Sequence, residues 1–132
     1  MSQPEQEKLN AFLGKMIGDL GAIASGAGVL LGDRLGLFKA LRDGGKLTPE
    51  ELAARTGTQE RLVREWLAGQ AAAGYVEYES AADRFFLTPE QQLVFADEAS
   101  PAFMAGAFEV LSSLWLDEDK VRQAFLTGGG VG

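Results

Sequence analysis

Cysteine and histidine are both missing from the 132-residue chain. The first absence excludes disulfides, thiolate nucleophiles and zinc-finger ligands; the second removes the commonest metal ligand and the usual general base. Most familiar catalytic constellations are therefore out of reach. Positive charge is scarce too: 12 Lys and Arg stand against 19 Asp and Glu, a formal net charge of -7. That balance opposes sequence-independent binding to nucleic-acid phosphates. The opening residues, MSQPEQEKLN, have no signal-peptide layout, and the longest uncharged apolar stretch, Leu20 to Gly32, is too short for a bilayer. A cytoplasmic chain with no membrane partner is expected.

What remains is the make-up of one soluble globular domain, 46% hydrophobic and 23% charged. Residues 5–31 carry Leu9, Phe12, Leu13, Met16, Ile17, Leu20, Ile23, Ala24, Ala27, Leu30 and Leu31 at the spacing of one buried helical face. A shorter helix is expected over Asp33 to Leu41, closed by Gly44-Gly45. Thr48-Pro49-Glu50-Glu51 is a capping box opening a helix that Thr56-Gly57 ends. Thr58 is expected to cap the next helix, with Leu62, Val63, Trp66, Leu67 and Ala71 inward and Gly74 as its stop. Tyr75 to Glu79 and Arg84 to Leu87 alternate as a β-hairpin. Thr88-Pro89-Glu90-Gln91 repeats the cap, Ser100-Pro101 is expected to open a further helix, and Asp117 to Leu126 a last one.

Helix, short turn, helix and hairpin make a winged helix-turn-helix, so the fold is expected to be mainly α with a small wing and flanking helices. The runs KLTPEELAARTGTQERLVREWLAGQAAAGYVEY and RFFLTPEQQLVFADEASPAF, with the lead-in FLGKMIGDLGAIASGAGVLLGDRLGLFKAL, resemble the N-terminal winged-helix domain of bacterial class I S-adenosylmethionine-dependent methyltransferases. The resemblance implies a non-catalytic module over residues 1–127 that dimerises and roofs the substrate pocket of a following Rossmann-like domain. It divides into the long helix 5–31, a helix-turn-helix 48–73, a wing 75–87 and C-terminal helices 89–127, before a flexible glycine-rich tail, 128–132. The cofactor loop belongs to that later domain, so no cofactor is expected on this chain and no enzyme activity from it alone. The tail Gly128-Gly129-Gly130-Val131-Gly132 follows a helix, whereas a cofactor-binding glycine loop follows a strand.

Charge weighs against reading DNA. Between Thr48 and Thr88 four arginines (Arg55, Arg61, Arg64, Arg84) face seven acidic residues. Pairs such as Glu50/Glu51 and Glu118/Asp119 suit helix N-termini and need no acid–base role. Phe103, Met104, Phe108, Trp115 and Phe125 read either as core or, for the first four, as the wall of an apolar pocket. A homodimer is expected through Phe12, Met16, Leu20 and Ile23, and through Gly14, Gly18 and Gly21 of a stripe of small residues that continues to Ser25 and Gly28. That stripe could equally pack on the chain's own C-terminal helices. A small dimeric winged-helix regulator and a stand-alone binder of apolar small molecules are the alternative readings.

Overall fold

A computed structural model describes residues 1–130. Two residues of the expected tail, Val131 and Gly132, lie outside the described residues. Helix α1 (Gln3–Leu35) opens where the Ser2 hydroxyl accepts from Glu5 N–H and closes at Gly36, which takes the left-handed φ of 72°. It runs past both ends expected for it. Gly32 does not stop the helix; it admits neighbours. A Cβ there would sit 2.5 Å from the rings of both Phe38 and Trp66. Helix α2 (Leu37–Gly44) therefore starts four residues later than the expected Asp33.

Helix α3 (Pro49–Thr56) carries the capping box: Thr48 Oγ1 accepts from Glu51 N–H at 3.1 Å, and the Glu51 carboxylate accepts from Thr48 N–H at 3.2 Å. Helix α4 (Glu60–Ala72) has Gln59 at its N-cap, without a side-chain bond. The expected cap, Thr58, instead shares a hydrogen bond with Thr56 Oγ1 at 2.8 Å. Strands β1 (Glu77–Glu79) and β2 (Arg84–Phe86) pair antiparallel with Tyr78 opposite Phe85. They are shorter than expected at their outer ends, where Tyr75 N–H is taken by Gln70 O of α4; between them Ser80 to Ala82 form a 3-10 turn and Asp83 is left-handed. Leu47 adds a bridge, exchanging both backbone hydrogen bonds with Phe85 and tying the entry of α3 to the wing.

Helix α5 (Pro89–Phe95) has the second capping box, between Thr88 and Gln91. The helix expected from Ser100-Pro101 begins only at Ala107, as α6 (Ala107–Leu116). Ser100 Oγ accepts from Ala102 N–H in a turn, and Met104 N–H donates to Val94 O, folding this stretch back on α5. Helix α7 (Glu118–Thr127) ends the described helices.

The core gathers where α1, α2, α3, α4 and the wing meet. Phe38 stacks on Phe95 with centroids 4.7 Å apart and meets Trp66 edge-on at 5.0 Å. Around it Val29, Leu37, Leu41, Leu52, Leu67 and Val76 are fully buried, each worth about 1.5–3 kcal/mol of transfer free energy for the larger side chains. The fold is mainly α with a small hairpin wing.

Helix α1 is the exception to this packing. The stripe expected to be buried is exposed along residues 1–24, and the residues that α1 does bury are Val29 and Gly32. By length and composition the helix is apolar enough to cross a bilayer, although its last third packs on the domain.

Candidate functional site

Helix α4 holds the place of a recognition helix, and its cations are already engaged. Arg61 donates to Glu65 at 3.2 Å; Arg64 donates to Asp83 at 3.2 Å and Glu60 at 3.5 Å. On the wing, Arg84 donates to Glu51 at 2.8 Å and to Lys46 O at 2.9 Å. The hydrogen bond to Asp83 raises the Arg64 pKa above its ordinary value. A phosphate approaching this face would have to displace carboxylates from all three arginines, and those carboxylates would then repel it.

A second feature is an apolar cleft of about 510 Å³ between α1 and α6. One wall is Ala22, Ile23, Gly26, Ala27 and Leu30; the other is Phe108, Leu111, Ser112, Leu114 and Trp115. On the α1 wall the small residues Ala22, Gly26 and Ala27 alternate with the larger Ile23 and Leu30. At Gly26 the Phe108 ring approaches so closely that a Cβ would lie 3.2 Å from its Cε1. The Ser112 hydroxyl donates to Glu109 O at 2.8 Å, within its own helix. Arg34 grips the Glu109 carboxylate with two hydrogen bonds, 2.8 and 2.7 Å, fastening α6 to the end of α1. Those bonds hold the Glu109 carboxyl below the usual carboxylate range.

Of the four residues expected to wall a pocket, Phe108 and Trp115 line this cleft. Phe103 packs against the core, and Met104 is exposed in the turn before α6. Ile23, expected at a dimer interface, is also a cleft residue. The facing wall of α1 was not anticipated. Ile23, Ala27 and Leu30 belong to the helix's apolar arc while Ala22 and Gly26 do not, and a helical period cannot say which neighbour covers which turn.

The other expected interface residues lie along the bare half of α1. Phe12 is 60% exposed and Leu20 62%, with Met16 between them. Positions Gly14, Gly18 and Gly21 have no atom near enough to meet an added Cβ. The same stripe is used within the chain farther along, and by α4 rather than by the C-terminal helices: Trp66 Nε1 donates to Gly28 O at 2.7 Å, and Gln70 Nε2 packs where a Gly28 Cβ would be. On α6 and α7, Trp115 and Phe125 are 70% and 86% exposed.

The described glycines near the C-terminus, Gly128 to Gly130, follow a helix. Gly128 caps α7 in the left-handed conformation, donating to Ala124 O, so it continues a helix end, whereas a cofactor-binding glycine loop follows a strand. The sequence model of a family described as the Rv2258c-like winged HTH domain matches residues 23–96, more than half of the chain. The chain belongs to this family. Its matched span takes in the last part of α1, the helix-turn-helix, the wing and α5, so the bare first half of α1 and the C-terminal helices fall outside the Rv2258c-like unit. No curated protein matches the sequence. Among solved structures, the chain is similar to an O-methyltransferase family protein from Burkholderia thailandensis (18% identity, TM-score 0.68, covering 86% of this chain and 32% of that one). It is also similar to the mitomycin 7-O-methyltransferase MmcR (22%, 0.69, 94% and 37%). A third is CalO1, a methyltransferase in calicheamicin biosynthesis, in its S-adenosylhomocysteine-bound form (25%, 0.64, 95% and 35%). The chain thus spans about a third of the length of the methyltransferases it matches.

Proposed function

We propose that this chain is a non-catalytic module of a S-adenosylmethionine-dependent methyltransferase, joining two copies through α1 and contributing an apolar wall to a substrate pocket. The observation that carries the reading is the first half of α1. Phe12, Leu13, Met16, Ile17 and Leu20 form an apolar face that the other described residues leave exposed. Water-exposed patches of this kind on soluble domains usually mark an interaction site, and two-fold pairing lets one face serve both copies. The likeness in fold to O-methyltransferases supports the assignment to that class of enzyme, and the helix that leads into Gly128, where a cofactor loop would have a strand, supports a non-catalytic part in it. The engaged arginines of α4 and the wing weigh against a DNA-binding regulator.

Static light scattering at micromolar concentration tests the reading. The mass expected is that of two chains, falling to one when Phe12→Asp and Leu20→Asp are combined. A wild-type mass of one chain, or a dimer indifferent to both changes, would overturn it.

A further inference from the structure

We propose that the bare length of α1 pairs with the same length of a second copy running antiparallel, Leu9 against Leu20 and Leu13 against Met16, and that α6 is the stop fixing this register. The proposal rests on the pairing of two copies through α1 and gives that pairing a direction. Along α1, Leu9, Leu13, Met16, Leu20, Ile23, Ala27 and Leu30 recur at alternating steps of four and three residues. That is the seven-residue repeat of a seam on which two helices pack with a left-handed supercoil. Within one chain α6 takes the far end of the seam, where Ile23, Ala27 and Leu30 line the cleft between the two helices. The near end lies open, from Leu9 at 39% exposed through Met16 and Leu13 to Leu20 at 62%. A second copy of α1 continues on that open end the cover that α6 begins.

Occupancy by α6 decides the direction. In a parallel pair the two unbroken α1 helices would stay side by side beyond Leu20, where the α6 of each copy already lies. In an antiparallel pair each α1 runs away from the other copy's α6, and only its polar first residues, Gln3 to Glu7, come level with it. The register follows from the same constraint. Sliding the partner one heptad toward α6 would set Leu13 on Ile23 and push α6 aside; one heptad the other way would bring Gln6 onto Met16 and leave Leu20 bare. Charge agrees with this direction. At 100° per residue Lys8, Lys15 and Asp19 share one flank of the seam. Lys15 is bonded to Asp19 at 2.7 Å, while Lys8 has no ion-pair partner among the described residues. Antiparallel two-fold pairing brings like flanks together and sets Lys8 of each copy about 3 Å, along the axis, from the level of Asp19 of the other. Parallel pairing would turn that flank toward Asn10 and Ile17. Flanking charges of this kind help choose partner orientation.

The chain has no cysteine, so introduced cysteines report the pairing without background. Leu9→Cys and Leu20→Cys, mixed and gently oxidised, should form a disulfide between copies with about ten-fold or higher yield than either variant alone, since only the mixture brings two thiols into one layer. Spin labels on Gln3→Cys, outside the seam, give a second measurement that leaves the apolar contacts intact. By pulsed electron resonance the two labels should lie about 35 Å apart along the axis, against about 10 Å in a parallel pair. Gly26→Leu tests the stop. A Cβ there already lies 3.2 Å from the Phe108 ring, so the larger side chain should displace α6 and add further label distances to the single one of the wild type. Static light scattering on the same samples separates the outcomes. A two-chain mass with cysteines that link within either variant alone, or with labels about 10 Å apart, would keep the pairing and overturn its direction. A single label distance unchanged by Gly26→Leu would overturn the role of α6. A wild-type mass of one chain would overturn the pairing and this register with it.

Discussion

At the scale of single residues, two glycines on helices show how the same side-chain absence serves opposite ends. Gly32 lies where Phe38 and Trp66 press on α1, and a Cβ would meet both at 2.5 Å. Gly69, on α4, has open space around it. Gly32→Ala should therefore destabilise the domain by about 1–3 kcal/mol through overpacking. Gly69→Ala should stabilise it by up to about 1 kcal/mol, the helix-propensity difference. Urea midpoints for the two variants should move in opposite directions; a shift of the same sign would mean that one environment is misassigned. The capping box at Thr48 yields a pH-dependent prediction. Glu51 is held below its ordinary value, first by the hydrogen bond from Thr48 N–H, then by the bond with the Thr48 side chain, with Arg84 adding to it. A carboxylate depressed in the folded state contributes stability above its unfolded pKa and loses that contribution as pH falls through the folded value. The wild type should thus outlast Glu51→Gln in urea at about pH 7, with the gap closing in the acid range below the ordinary carboxylate value. Thr48→Ala should cost about 1 kcal/mol at neutral pH through the lost cap. An advantage over Glu51→Gln that persists undiminished at about pH 3 would show that the charge of Glu51 plays no part.

At the scale of elements, local chemistry was legible and long-range packing was not. Both capping boxes, the glycine stop at Gly74 and the hairpin could be read because each is decided by residues a few positions apart. The end of α1 could not. Gly32 and Gly36 look alike in sequence, and what separates them is that Gly32 is crowded by rings from α2 and α4 while Gly36 turns left-handed. For the same reason the start of α6 was placed too early. Ser100-Pro101 is an acceptable helix opening, yet the bond from Met104 to Val94 O holds the chain in turns until Ala107. The candidate cleft was half visible: Phe108 and Trp115 stood out, while their opposite wall lies about 85 residues earlier and depends on how α6 docks. Charge, by contrast, carried straight from sequence to surface. The basic residues on α4 and the wing are few, and acidic neighbours occupy them, Arg64 between Glu60 and Asp83 most fully. The chain should accordingly leave duplex DNA unretarded in a gel at about 0.15 M salt. Retardation that fades steeply with added salt would reveal a phosphate-binding surface elsewhere on the molecule.

At the scale of the whole molecule, the question is what keeps the first two-thirds of α1 helical. The Ser2 cap and pairs such as Lys15–Asp19 at 2.7 Å help, but an exposed i,i+4 pair contributes only about 0.3–0.5 kcal/mol. Most helical stability in proteins comes from packing of an apolar face, and several interior glycines lower the propensity of this helix. Tertiary burial supplies the usual remedy, and within one chain it begins only near Ser25. If two copies pair through the bare face, the backbone amides from about Glu7 to Ile23 should be protected from hydrogen exchange in proportion to dimer occupancy. Diluting the protein through the dimer dissociation range should unprotect that segment alone, while α3, α4 and the wing, which share the buried core around Phe38, exchange as before. The mechanism is mass action: a partner that binds the ordered helix and not the frayed one stabilises it by an amount that depends on concentration. The Phe12→Asp, Leu20→Asp variant should show the diluted pattern at every concentration. Exchange in residues 7–23 that is slow and independent of concentration in both proteins would mean that α1 holds itself together, and the reason for its exposed face would have to be sought outside pairing.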